Sequence, residues 1–113
     1  MTYKKLTFDL TDNVAWITLN RPAVLNALDL DLARELCDVA NRCGLDRSVR
    51  AAVLTGEGDK AFCAGGDVAS FAANAGAIGP HLTEMATALH TAVSRFAWMD
   101  APLIAMVNGV AAG

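Results

Sequence analysis

"AAVLTGEGDKAFCAGGDV" occupies Ala51 to Val68 and carries two glycine patterns separated by a short apolar segment. The run from Arg50 to Gly56 is aliphatic and ends in glycine, the pattern of a strand buried in a parallel sheet. "GEGDKA" (Gly56–Ala61) then formally satisfies G-x-G-x-x-A, the dinucleotide-binding fingerprint. That reading needs a helix to open inside the motif, whereas "KAFC" has extended, apolar character, so a plain turn is the competing interpretation. "AFCAGGDV" (Ala61–Val68) offers different chemistry. Glycine admits positive φ and lets a ligand approach the backbone, so Gly65 and Gly66 can tilt peptide N–H groups toward one point. Asp67 stands where a helix would begin, with Val68, Ala69, Phe71 and Ala72 following. A helix N-terminus adds partial positive charge suited to a developing oxyanion. From the octapeptide alone, an ordinary glycine turn capped by Asp67 and an amide cradle both remain open.

The flanking segments set this stretch in an alternation of strands and helices. "LTFDL" alternates, "TDN" turns the chain and "VAWITL" (Val14–Leu19) reads as a buried strand, which predicts an opening hairpin. "NRP" breaks it. From Asp29, apolar Leu32, Leu36, Val39, Ala40 and Cys43 recur at helical spacing, Asp29 and Asp31 suit the first turn, and Gly44 suits the position just past the helix end. A second helix is predicted from His81 to Met99, with Pro80 at its first position and one face made of Leu82, Met85, Ala86, Leu89, Val93 and Phe96. "LIAMV" (Leu103–Val107) reads as a fully apolar core strand, and "AANAGAIGP" (Ala72–Pro80) as the flexible piece. Such alternation implies βαβ-type units and an α/β layered architecture.

The 113 residues suit one domain, and 54% are hydrophobic, with a mean hydropathy of +0.35. A domain this small keeps a large surface for its volume, so part of that apolar surface is expected to meet another chain or a further segment. No run of about 18 apolar residues occurs, which argues against a membrane span. "MTYKKLTFDL" lacks the marks of a secretion signal or an organelle presequence, giving a cytoplasmic expectation. A net charge of −3 leaves no electrostatic footprint for nucleic acid. Cys37, Cys43 and Cys63 form no CxxC pair and read as reduced, buried thiols. His81 and His90 do not share a helix face at ligand spacing, so no metal site is expected.

Three ordered stretches, "VAWITLNRPAVLNAL" (Val14–Leu28), "AAVLTGEGDKAFCAGGDV" and "APLIAMVNGVAAG" (Ala101–Gly113), resemble the crotonase superfamily, the enoyl-CoA hydratase/isomerase family, over nearly the whole chain. The resemblance implies an α/β fold of the ClpP/crotonase type, a spiral of ββα units, of which residues 1–113 form the N-terminal part of one domain. It further implies assembly as a homo-oligomer, in trimers or pairs of trimers. The implied substrate is an acyl-CoA thioester, with CoA part of the substrate and no separate cofactor. In the family, two backbone N–H groups polarise the thioester carbonyl and stabilise an enolate, and one such donor is worth roughly a hundred- to a thousand-fold in rate.

By the motif match Ala64 supplies the first N–H. The second comes from a glycine in the family's G-x-A-x-G-G-G stretch, of which "GVAAG" (Gly109–Gly113) matches the first part, so the donor is expected one residue beyond Gly113. CoA contacts are implied for Val24, Leu25, Ala27, Gly65, Gly66, Asp67 and Val68, and core packing is the alternative for Leu25, Ala27 and Val68. Many members carry a charged residue where this chain has Ala23. The two glutamates that transfer protons in the hydratases lie after the glycine stretch and match nothing here, so the chain by itself is expected to be inactive. Glu57, Asp59, Glu84 and Asp100 read as solvated carboxylates, and Asp67 as a helix cap and loop brace. The alternative function is a non-catalytic crotonase-like module that binds acyl-CoA or a partner subunit through an exposed apolar face.

Overall fold

The computed structural model describes residues 2–113. Strands β1 (Leu6–Thr11) and β2 (Val14–Leu19) pair antiparallel around Asp12 and Asn13, both with positive φ. This is the left-handed two-residue turn whose twist suits a tight hairpin and which Asp and Asn tolerate best among non-glycine residues. Helix α1 (Leu30–Leu45) then carries the chain back, and β3 (Ala51–Gly56) pairs parallel with β2, from Val14 against Ala51 to Leu19 against Gly56. A short strand β4 (Ala61–Cys63), a one-and-a-half-turn helix α2 (Val68–Ala73) and the long helix α3 (Ile78–Trp98) follow. Strand β5 (Leu103–Ala105) adds parallel to β3, giving the sheet order β1-β2-β3-β5. Strand β6 (Val110–Ala111) pairs parallel with β4 in a separate two-stranded sheet.

The core lies between one face of the larger sheet and the helices. Ala15, Ile17 and Leu19 of β2 point inward with Leu6 and Ala52, and meet Leu32, Leu36, Val39, Ala40 and Cys43 of α1 and Ala92 and Phe96 of α3. The β2 side chains alternate, with Ala15, Ile17 and Leu19 buried and Trp16 on the other face 40% exposed. Asp31 lies in the first turn of α1 as expected, whereas Asp29 stands just before it and caps it by accepting the Leu32 N–H at 2.9 Å.

Five other expectations are corrected. Gly44 does not follow the end of α1 but lies inside it. The hydrogen-bond ladder continues to Asp46 N–H on Arg42 O; the stop comes at Asp46, whose carboxylate accepts from the Ser48 N–H and hydroxyl instead. The segment 72–80, expected as the flexible piece between two ordered segments, is itself built of the end of α2, a 3-10 turn (Ala75–Ala77) and the start of α3. Pro80 is the third residue of α3, where its missing N–H falls among those that lack an intrahelical acceptor anyway. The buried stripe of α3 is Met85, Ala92 and Phe96 with Leu89 alongside, leaving Leu82 and Val93 exposed.

Finally, β5 is no core strand. It spans only three residues at the sheet edge, with Ile104 52% exposed and Met106 and Val107 following in the open. Among the described residues only β3 neighbours it.

Candidate active site

The two glycine-bearing stretches and the "NRPAVLNAL" loop converge. After β2 the chain makes a 3-10 turn (Pro22–Val24), then Leu25 and Asn26 both take φ of 56°. This reverses the backbone so that Leu25 to Leu28 runs beside Ala64 to Asp67. Three hydrogen bonds tie the two segments: Ala64 N–H to Leu25 O at 3.0 Å, Leu28 N–H to Gly65 O at 2.7 Å, and Asp67 N–H to Leu28 O at 2.8 Å. On the other side, Ala112 N–H donates to Cys63 O at 3.0 Å. This lays Gly113 against Gly65, close enough that a Cβ on Gly65 would sit 3.1 Å from the Gly113 Cα.

The pattern revises which amide is available. The N–H of Ala64, the expected oxyanion donor, is consumed by the Leu25 carbonyl within this small ladder. The Gly66 N–H, by contrast, has no acceptor among the described residues. Its direction follows from the planarity of a trans peptide, in which C=O and N–H point oppositely. Because Gly65 O is bonded to Leu28 N–H, the Gly66 N–H of the same peptide must face away from the Leu28 segment, and Gly66 itself is exposed. Motif spacing does not tell the two amides apart; only the loop pairing does.

Side chains brace the turn from behind. Asn26 is fully buried, accepting the Arg21 N–H at 2.8 Å and donating to Glu57 O and Ala61 O, both at 3.1 Å. Asn108 serves the same turn, accepting from Gly56 N–H at 3.0 Å and donating to Gly58 O at 3.0 Å. The "GEGDKA" segment is therefore a turn leading into β4 with no helix opening in it, which removes the dinucleotide reading. Asp67 does what its position suggested: its carboxylate accepts from the Ala69 and Ser70 N–H groups and pairs with Arg21 at 3.0 Å. Arg21 also reaches Asp29 at 3.5 Å, and Lys5 joins Asp29 and Asp31. Burial alone would raise the Asp29 carboxyl, but the hydrogen bonds from Lys5 and Leu32 and the charge of Arg21 hold it below its ordinary value.

Of the other expected contact residues, Val24, Leu25 and Val68 are exposed, Val68 at 74%, so they are free to touch a ligand and are not core. Ala27 is buried. A hollow of about 320 Å³ opens beside this loop, lined by Pro22, Ala23, Leu25, Asn26 and Glu57 to Ala61. Ser70 Oγ and His81 Nε2, 3.3 Å apart, link α2 to α3, and the Phe71 ring stands edge-on to His81 and close over Gly66. Sequence reasoning missed Asn26, Asn108, Arg21 and this Ser–His link. Buried Asn26 and half-buried Asn108 are signalled only as polar residues at the edges of otherwise apolar stretches. Among the described residues, no group of three His, Cys, Asp or Glu side chains is placed to hold a metal ion, and no helix is long and apolar enough to cross a membrane.

Residues 9–113 match the model of the enoyl-CoA hydratase/isomerase family. The chain belongs to that family. Among its relatives, the (E)-benzylidenesuccinyl-CoA hydratase of Thauera aromatica is 34% identical over 112 residues, covering 96% of this chain and 41% of that protein. The crotonyl-CoA hydratase of Syntrophomonas wolfei subsp. wolfei is 32% identical over 120 residues, covering the whole of this chain and 42% of that protein. An enoyl-CoA hydratase from Bacillus anthracis superposes with a TM-score of 0.85 at 31% identity, over 96% of this chain and 41% of that one. The α/β architecture is thus that of the enoyl-CoA hydratase fold, in its N-terminal part. The chain spans about two fifths of the length of the curated relatives it matches.

Proposed function

We propose that the turn at Gly65–Gly66 binds the carbonyl oxygen of an acyl-CoA thioester and that the Gly66 N–H is the donor that polarises it. The observation that carries this reading is the unpartnered, outward-facing Gly66 amide in a bend whose other amides are engaged. A thioester oxygen 2.7–3.1 Å from that nitrogen would gain charge as an enolate forms, and a preorganised amide stabilises that charge without reorganising. Gly113, laid against Gly65, brings the second glycine stretch to the same point, so a second donor would come from the residue after it. CoA would lie along the exposed Val24 and Leu25 and across Asp67 and Val68.

Proton transfer is a separate requirement. Asp67 is committed to Arg21 and to capping α2, while Glu57, Asp59 and Asp100 are exposed and Glu84 pairs with Arg34 on the surface. We therefore assign the 113-residue chain the polarising half of the chemistry, with binding but no turnover. A cytoplasmic location accords with this acyl-CoA chemistry. Infrared difference spectra of crotonyl-CoA labelled with ¹³C at the carbonyl test the reading: the band should move to lower frequency on binding and return to its free position in Gly66→Pro, which deletes the N–H. An unshifted band with the wild-type chain, or loss of the enoyl absorbance on incubation, would contradict it.

A second reading rests on the apolar groove of about 530 Å³ between the C-terminal part of α3 and β5, lined by Val93, Phe96, Ala97, Met99 and Leu103. With Val93 itself 59% exposed, the groove supports self-association through this face, and sedimentation velocity over a concentration series tests that.

A further inference from the structure

Arg21 holds both sides of the small ladder that orients the Gly66 amide. Its guanidinium donates through one nitrogen to Ala27 O at 2.6 Å and through the other pairs with the Asp67 carboxylate at 3.0 Å. Ala27 immediately precedes Leu28, and Asp67 immediately follows Gly66. Leu28 in turn accepts from Asp67 N–H and donates to Gly65 O. The Gly65–Gly66 peptide plane is thus fixed at its carbonyl by Leu28, and the two residues next to that contact are fixed by one planar fork. Both charged partners are largely shielded from water, with side chains 17% and 12% exposed, where a charge pair is screened little by salt. Asp29, beside the same guanidinium at 3.5 Å, and Lys5 on Asp29 anchor the fork from the residues just before α1 and β1.

We propose that Arg21 is a positioning residue for the thioester site: acting through Asp67 and the Ala27 carbonyl, it sets the direction of the Gly66 N–H. A lysine could supply the charge but not two bonds in fixed relative geometry. The proposal rests on the acyl-CoA reading for what the amide binds, though not for how it is held.

The decisive variant is Asp67→Asn. Asparagine keeps an oxygen for the Ala69 and Ser70 N–H groups, so α2 stays capped, while the charge that pairs with Arg21 is gone. The first readout needs no ligand: the ¹⁵N relaxation order parameter of the Gly66 amide in the free chain. It should be near the 0.85 of rigid backbone in the wild type and fall below about 0.6 in Asp67→Asn, with the α1 amides unchanged. Arg21→Gln should do the same; should that variant fail to fold, Asp67→Asn alone carries the test. The second readout is the carbonyl band of bound crotonyl-CoA, whose shift should shrink by at least half in Asp67→Asn. A Gly66 amide already mobile in the wild type, or equally rigid in Asp67→Asn, overturns the proposal. A rigid wild-type amide that loosens in Asp67→Asn, with no carbonyl shift in either, upholds the positioning role and defeats the thioester reading instead.

Discussion

Gly65 and Gly113 meet backbone to backbone: a Cβ on Gly113 would lie 2.8 Å from the Gly65 Cα, and one on Gly65 would lie 3.0 Å from Ala112 O. Gly65 also has φ of +96°, a region that side chains other than glycine's enter with strain. Gly65→Ala is therefore expected to destabilise the fold by about 1–3 kcal/mol, read as a lower urea midpoint at unchanged slope. Gly44→Ala is the control. Gly44 lies exposed within α1, and the added carbon would meet only the Met99 Cβ at an ordinary 3.9 Å, so that change should stabilise by about 0.4–1 kcal/mol.

Asn26 joins three strangers in sequence, the Arg21 amide and the Glu57 and Ala61 carbonyls. In Asn26→Ala, Ala61 O keeps a bond from Asn108 at 3.3 Å, but the Arg21 N–H loses its acceptor and the exposed Glu57 carbonyl turns to solvent. One orphaned buried group costs about 1–3 kcal/mol, and the loop it anchors carries Leu25. We expect a lower thermal midpoint and faster hydrogen exchange at Ala64, whose amide is bonded to the Leu25 carbonyl. Unchanged exchange at Ala64 would show that the ladder stands without Asn26.

Much of the architecture could be read locally. The Asp12–Asn13 turn, the Asp67 cap and the apolar repeat of α1 each depend on residues within a few positions of one another, and the structure keeps all of them. What was not legible depends on distant partners. The end of α1 is set by the Asp46–Ser48 contact rather than by Gly44, and the exposure of β5 by what stands beyond it rather than by its own composition. The site shows the same division. Gly65, Gly66 and Asp67 are visible as a motif, but choosing the Gly66 amide over that of Ala64 requires the Leu25–Leu28 segment alongside. Nothing within "AFCAGGDV" encodes that pairing.

The edge strand offers a test of a second route to self-association, apart from the groove. Ile104 on β5 is more than half exposed, and among the described residues only β3 neighbours this strand. An open apolar edge pairs readily with another chain, and a charge on it opposes that pairing. Ile104→Lys should leave the thermal midpoint within the roughly 0.5 kcal/mol range of ordinary surface changes and shift sedimentation toward the monomer. A lysine variant that sediments like the wild type at every concentration would place any self-association elsewhere on the surface.

The Lys5–Asp29 pair gives the stability of the fold a signature at both ends of the pH scale. Burial opposes the Asp29 charge, but the Lys5 and Leu32 hydrogen bonds and the nearby cations outweigh it and hold the carboxyl below 3.8. The unfolded chain therefore takes up this proton at a higher pH than the folded one. The stabilisation is present above 3.8 and is lost as pH falls through the depressed folded value. Lys5 runs the other way. Its hydrogen bond to Asp29 raises the ammonium above 10.5 against the opposing effect of burial, so its contribution is complete below 10.5 and is lost as pH rises through the raised folded value. Asp29→Asn separates these effects from other titrations, since asparagine can still accept the Leu32 N–H and cap α1. Urea midpoints measured across pH should fall less steeply for the variant than for the wild type at both the acid and the alkaline end, because the same substitution removes the depressed carboxyl and the chief cause of the raised Lys5 value. Equal slopes at the alkaline end would mean that Asp31, 3.3 Å from Lys5, suffices to hold the ammonium.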